Sequence, residues 1–154
     1  MISVGDQFPA FSLQNQDGET MTNADFAGAP ALFYFYPKDD TSGCTTEACG
    51  FRDAFPRFEG VRVAGISPDS AKSHRKFADK YSLPFTLLAD EGHKLAEACG
   101  VWVEKEMYGK KYMGVQRASF LVDAGGKVTK VWPKVTPAGH ADEVLAAVAA
   151  SARK

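Results

Sequence analysis

Cysteine is scarce in this chain. Of 154 residues only Cys44, Cys49 and Cys99 are cysteines, and so sparse and odd a set excludes the disulfide scaffold of a small secreted protein. It fits reducing surroundings, where a pair of thiols is reactive. A charge surplus is missing too. Eighteen Lys and Arg stand against nineteen Asp and Glu, a formal net charge of −1, which leaves no electrostatic case for a polyanion, and no nucleic-acid partner is expected. No apolar run approaches membrane length, and Met1-Ile2-Ser3-Val4-Gly5-Asp6 carries neither the basic nor the apolar region of a secretory signal. The expected location is cytoplasmic, without a membrane partner. His74, His93 and His140 are the only histidines and show no spacing that would gather zinc ligands. The length suits one compact domain over residues 1–154, with no repeat and no low-complexity linker.

What the chain does have is concentrated in residues 31–53. The run Ala31-Leu32-Phe33-Tyr34-Phe35-Tyr36 is apolar without alternation, the pattern of a strand buried on both faces, and Pro37 cannot continue a central ladder. The strand therefore empties into the loop Lys38-Asp39-Asp40-Thr41-Ser42-Gly43. Beyond it Ala48, Phe51 and Phe55 fall near helical spacing, with Thr41 or Ser42 as the cap. This puts Cys44 in the first turn of a helix, where free backbone N–H groups and the positive end of the helix favour a thiolate. Cys44 is thus a candidate nucleophile. Cys49 lies about one and a half turns further on and projects from another side, too far for a good disulfide while the helix is intact. Pairing the two requires local unwinding.

The remainder reads as alternating strands and helices. The Asp17-Gly18 pair marks a hairpin turn near the amino terminus, and residues 22–28 make a brief helical turn. Pro56 kinks or restarts the cysteine helix before Gly60 ends it. Residues 61–67 form a second strand, 69–81 a charged amphipathic helix capped at Asp69 or Ser70, 85–90 a third strand and 92–99 a short helix. Residues 101–115 are mixed and polar, fitting an exposed loop or extended excursion. Residues 118–123 and 127–132 flank Ala124-Gly125-Gly126 as a hairpin, and 140–150 close the chain as a helix. The expected architecture is α/β: helices on both faces of a mixed sheet, parallel strands in the middle, and antiparallel hairpins at both chain ends. Cys44 then lies at the carboxyl end of a central strand, where open α/β sheets place their crevices.

Each candidate has a bland reading beside the functional one. A buried thiol is often inert, yet the helix start argues for a reactive Cys44, and Cys49 is either incidental or its resolving partner. Cys99, on the apolar side of its helix, reads as core filling. Thr41 is a helix cap, a donor to the sulfur or to a polar substrate, or both. Arg117, just before a strand, is a solvated arginine or a fixed charge suited to holding a thiolate and an oxygen ligand together. Glu47 and Arg52 are either a surface ion pair or part of the same network; spacing leaves these open.

The spacing Pro37, Thr41, Cys44 resembles the Pro-x-x-x-Thr-x-x-Cys motif of peroxiredoxins. The fuller run Thr41-Ser42-Gly43-Cys44-Thr45-Thr46-Glu47-Ala48-Cys49-Gly50-Phe51-Arg52-Asp53 is similar to the peroxiredoxin Q, or bacterioferritin-comigratory protein, subfamily. Further similarity lies at Gly5-Asp6-Gln7-Phe8-Pro9, Gly65-Ile66-Ser67-Pro68-Asp69-Ser70, Gly100-Val101-Trp102 and residues 117–123. The resemblance implies a thioredoxin-like fold with an N-terminal hairpin extension, and a monomer. It implies that Cys44 is the peroxidatic cysteine, oxidised to a sulfenic acid by hydrogen peroxide or an organic hydroperoxide, and Cys49 the resolving one, closing a disulfide within the subunit. Thioredoxin or a related dithiol protein would reduce that disulfide. Pro37 would shield the pocket, Thr41 donate to the peroxide oxygens, and Arg117 supply the positive charge. This chemistry calls for no metal, flavin or haem cofactor. Ser42 stands where the family often has proline, and Cys99 is outside its usual pair, which leaves an intersubunit or regulatory thiol open.

Two other readings remain. A thiol-disulfide oxidoreductase usually separates its cysteines by two residues, and here four intervene. A redox sensor or holdase would switch conformation on oxidation without turnover.

Overall fold

A computed structural model describes residues 1–152. Among these residues seven strands form one sheet, and two more pair as a separate ribbon. Strand β3 (Ala31–Phe35) is central, and all five of its residues are buried. It runs parallel to β4 (Arg62–Ser67), which runs parallel to β5 (Thr86–Ala89). On the other side β3 pairs antiparallel with β8 (Ala118–Val122), and β8 with β9 (Val128–Trp132). At the far edge β1 (Ser12–Asn15) and β2 (Thr20–Thr22) form the hairpin turned by Asp17-Gly18, with Gly18 at φ +77° where a side chain would be strained. The parallel centre with antiparallel ends is the arrangement expected from the sequence.

Alternation along β3 divides the core. Ala31, Phe33 and Phe35 face one cluster with Phe8, Phe11, Phe26, Leu95 and Cys99; Leu32, Tyr34 and Tyr36 face the other with Cys44, Phe51, Phe77 and Val144. Helices α1 (Ser42–Ala54), α2 (Ala71–Tyr81) and α4 (His140–Ala152) contribute to the second cluster, and α3 (Lys94–Cys99) to the first. Cys99 is fully buried, and burial, with the Asp90 charge adding to it, pushes its thiol up to about 12. It fills the core, as its helix position suggests.

Helix α1 stops at Ala54, one residue before the 3₁₀ turn Phe55–Arg57, because Pro56 supplies no N–H for the ladder. A 3₁₀ turn also spans Asn23–Phe26. The polar segment after α3 is more ordered than its composition indicates. β6 (Trp102–Met107) and β7 (Lys110–Val115) close a hairpin through Tyr108 and Gly109, both at positive φ, with Tyr108 98% exposed. Tyr-Gly is not the usual turn pair, and a ribbon lying off the main sheet has no need of alternating polarity, so the pairing left little trace in the sequence. Among the described residues no helix is long and apolar enough to cross a membrane.

Phe33 stacks on Phe8 at 4.4 Å between centroids and meets Phe26 edge-on at 5.1 Å, on the sheet face opposite Cys44. Phe33→Ala is expected to lose about 3–5 kcal/mol of stability in urea unfolding. A loss under about 1 kcal/mol would mean that the aromatic cluster is not well packed.

Candidate active site

Thr41 is the extended N-cap of α1 (φ −93°, ψ 158°), and the Thr45 N–H to Thr41 O bond, at 2.8 Å, is the first of the helix. The amides of Ser42, Gly43 and Cys44 therefore precede the ladder and are left for an oxygen ligand. The Thr41 side chain makes no capping bond; its hydroxyl donates to Lys38 O at 2.8 Å. Of the roles weighed for Thr41, the cap holds for the backbone alone, since the hydroxyl proton is committed to folding back the loop after Pro37. Pro37 is half-buried at the end of β3, as a break of the central ladder requires.

Cys44 is the third residue of α1 and only 2% exposed. Its environment is set by β8. In the antiparallel register Ala118 lies opposite Phe35, so Arg117 enters just where β3 gives way to the Pro37 loop. The guanidinium donates through Nη2 to Cys44 Sγ at 3.3 Å and through Nη1 to Glu47 Oε1 at 2.7 Å. Gly43 makes room for it: a Cβ there would stand 3.2 Å from Arg117 Nη2 and 3.4 Å from Pro137 Cγ. One planar fork thus holds two groups one helical turn apart on α1, a geometry that a lysine ammonium cannot reproduce.

The two partners of the Arg117–Glu47 pair respond differently to burial. The Glu47 side chain has no exposure and Oε2 has no hydrogen-bond partner, so desolvation outweighs the attraction of Arg117 and pushes its carboxyl up to about 7. Arg117 keeps 15% of its side chain exposed; burial lowers it, but Glu47 and Cys44 together outweigh that and the guanidinium goes up. The Tyr34 hydroxyl, pushed far up by burial with the Glu47 charge next, also lacks a partner. Glu47 lies on the Cys44 face of α1 beside buried Ala48 and Phe51, and that i, i+3 spacing was the signal that separates it from a surface ion pair. Arg52 takes no part: it bonds Asp53 and Tyr81 O.

Cys49 is half-buried on the same helix and opens onto a groove of ≈ 530 Å³ bordered by Asp53, Arg57, Pro137 and Asp142. All three cysteines are free thiols. Sequence reasoning missed Lys105, a half-buried lysine on β6 whose ammonium is pushed down by burial and then by the Arg117 charge, with Cys44 opposing. No sequence signal marks it, because only the fold of the ribbon brings it near that charge.

A sheet of this topology with a helix-start cysteine held by an arginine fits the peroxiredoxin class of thiol peroxidases, and the chain belongs to the AhpC/TSA family, whose model matches residues 4–131. Within that family its relatives are of the Bcp type. It is 49% identical over 146 residues to the putative peroxiredoxin bcp of Coxiella burnetii, covering 94% of this chain and 97% of that one. Identity to the peroxiredoxin Bcp of Bacillus subtilis is 47% over 146 residues, with 94% and 93% covered. Among solved structures, the bacterioferritin comigratory protein of Xanthomonas campestris superposes with a TM-score of 0.87 at 42% identity, covering 92% of each chain. A PrxQ variant from Xylella fastidiosa gives 0.93 at 34% identity, over 99% of this chain and 98% of that one. The fold is the thioredoxin-like α/β fold that the motif implied. The protein is a peroxiredoxin enzyme, a class that implies a peroxide substrate and a thioredoxin-like reductant.

The Glu47 carboxyl near 7, against 4.5 for an ordinary glutamate, makes stability depend on pH. Between those values the folded state binds more protons than the unfolded one, so stability falls as pH rises and levels off above 7. Relative to Glu47→Gln, which does not titrate, the protein is expected to lose on the order of 3 kcal/mol between pH 4.5 and 7 in urea unfolding. A gap between the two proteins that is independent of pH would show that Glu47 is charged throughout.

Proposed function

We propose that this protein reduces hydrogen peroxide and organic hydroperoxides through Cys44, with Cys49 as the resolving thiol and thioredoxin or a similar dithiol protein as the reductant. The observation that carries the reading is the Arg117 fork, which holds a cation 3.3 Å from the Cys44 sulfur at a helix N-terminus. In the first step the Cys44 thiolate attacks one peroxide oxygen and the O–O bond breaks. Cys44 becomes a sulfenic acid, and the departing oxygen takes a proton to leave as water or an alcohol. Arg117 and the free amides at the start of α1 favour the charge moving onto the leaving oxygen. Because the Thr41 proton is held by Lys38 O, its oxygen is disposed to accept the peroxide O–H, and Pro37 shields the pocket beside it.

Resolution requires α1 to open, since Cys44 and Cys49 sit about one and a half turns apart. The Cys49 thiolate then attacks the sulfenic sulfur, hydroxide leaves as water, and a disulfide forms within the subunit. Two electrons from the dithiol reductant restore both thiols. That the Xanthomonas relative has been solved in connection with alkyl peroxide reduction supports organic hydroperoxides as substrates. The reading takes residues 1–154 as one domain, acting as a monomer in the cytoplasm, a compartment that so sparse and odd a set of cysteines fits. The four residues between the cysteines disfavour a disulfide reductase. A sensor or holdase would oxidise once and stop, whereas this protein is expected to cycle when reduced thioredoxin is supplied.

Peroxide turnover with intact-mass trapping tests the assignment of the sulfurs. Cys44→Ser is expected to abolish the initial oxidation, Cys49→Ser to accumulate oxidised Cys44, and Cys99→Ser to behave as the parent. Accumulation of the unresolved species in Cys99→Ser would move the resolving role to Cys99. The fork has its own test: Arg117→Lys is expected to slow the second-order reaction with hydrogen peroxide by about 100-fold. A rate within about twofold of the parent would reduce Arg117 to a structural partner of Glu47.

A further inference from the structure

A second buried polar cluster lies outside the Arg117 fork, around Asp39 in the loop between Pro37 and Thr41. Asp39 is 9% exposed and His74, on α2, is fully buried. Three donors converge on the Asp39 carboxylate: Tyr36 Oη at 2.6 Å from Oδ1, and Ser73 Oγ at 2.8 Å and His74 Nδ1 at 2.7 Å from Oδ2. His74 Nε2 stands 2.9 Å from Leu88 O, which can only accept, so a proton sits on each ring nitrogen or is shared with Asp39. The Asp39 N–H donates to Asp69 Oδ2 at 2.8 Å, and Asp69 in turn accepts from Ser67 Oγ at 2.7 Å. Asp39, Asp69 and His74 are close enough to hold a cation, but these hydrogen bonds already occupy the atoms it would need.

The next residue is anchored as well. Asp40 has φ +58°, uncommon for a side-chain-bearing residue, and its carboxylate accepts from Lys80 Nζ at 2.7 Å and Tyr81 Oη at 2.8 Å. Every side chain that holds Asp39 or Asp40 comes from the end of β3, the turn after β4, or α2. None comes from α1. The contacts that α1 makes with the site, Cys44 and Glu47 to Arg117, form a separate set that local unwinding would break.

We propose that the buried Asp39–His74 pair is a hinge anchor, making Asp39 and His74 positioning residues that hold Pro37 and Thr41 in the peroxide-binding arrangement while α1 opens and recloses. The proposal rests on the proposed function for the unwinding step. A short loop joined to a helix that melts in each cycle would otherwise be drawn out of place with it, and the site would have to be rebuilt before the next peroxide. Clamped from behind by α2, the loop ends its motion at Thr41.

Single-turnover kinetics and hydrogen exchange test this on the full chain. In Asp39→Asn and His74→Gln the second-order rate of Cys44 oxidation by hydrogen peroxide is expected to fall at least about tenfold, while the first-order rate of disulfide formation stays within about twofold of the parent. Equal slowing of both steps, or an unchanged peroxide step, would overturn the positioning role. If those variants do not fold, Ser73→Ala, which removes a single donor to Asp39, is read by the same split. Exchange in the parent protein needs no variant. On passing from the reduced to the disulfide form, the amides of Thr45 and Ala48 are expected to lose protection while the Asp39 amide, bonded to Asp69, keeps it. Loss of protection at Asp39 together with α1 would overturn the hinge. Retained protection along α1 in the oxidised protein would overturn the unwinding step and with it the hinge, while the kinetic split would still decide the positioning role.

Discussion

A single guanidinium organises the reactive end of this molecule. Arg117 donates at once to the Cys44 sulfur and to the Glu47 carboxylate, and neither group has another charged side-chain partner among the bonds described. Removing that cation would take from the buried Glu47 carboxyl the one attraction that opposes its desolvation, and from the buried Cys44 sulfur one turn of helix away the cation beside it. The surrounding residues make sense as conditions for the fork. Gly43 leaves space beside it, Val135 N–H bonds its backbone carbonyl at 3.1 Å, and the antiparallel register of β8 on β3 brings it to the end of the central strand.

The same interaction sets two demands on α1 against each other. Before oxidation the helix must be formed, because its N-terminal amides and the fork both favour a charged sulfur. In the proposed reaction it must then open for Cys49 to reach the oxidised sulfur, because the helical geometry keeps Cys44 and Cys49 apart. The packing reflects that tension. Phe51 stacks on Tyr34 at 4.8 Å and is wholly buried, which holds the helix down, while Glu47 Oε2 and Tyr34 Oη are left without partners nearby. Unsatisfied buried polar atoms cost free energy in the closed state, and opening relieves that cost by exposing them to water. The closed helix is therefore less stable than its apolar contacts alone would make it.

Much of the fold was legible because local patterns carried it. The unalternating run from Ala31 to Tyr36 could only be a central strand, Pro37 had to end it, and Asp17-Gly18 had to turn a hairpin. The ribbon of β6 and β7 was not legible, since its turn uses Tyr108 and Gly109 and only its base, Trp102 and Val115, meets the core, which imposes no alternation along the rest. At the site, Cys44, Thr41 and Pro37 were found because they are neighbours in the chain. Chain position alone suits Thr41 to be a side-chain cap or donor, but in the folded loop a carbonyl three residues back, Lys38 O, takes its proton. The polar set around Asp39 and His74 escaped notice because its members come from four separate segments.

By itself the sequence determined a helix-start cysteine after a buried strand, a second thiol too far along that helix for a closed disulfide, and an α/β order of elements. These follow from hydrophobic period, turn chemistry and helix geometry, which act over a few residues. Tertiary structure alone decided that Arg117, 73 residues from Cys44, reaches its sulfur. It also decided that Glu47 is buried against Arg117 instead of paired with Arg52, and that Asp39 is held from α2. Such contacts depend on which strands pair and in what register, and that is settled by burying both faces of β3 at once, a condition no local stretch of the chain can express.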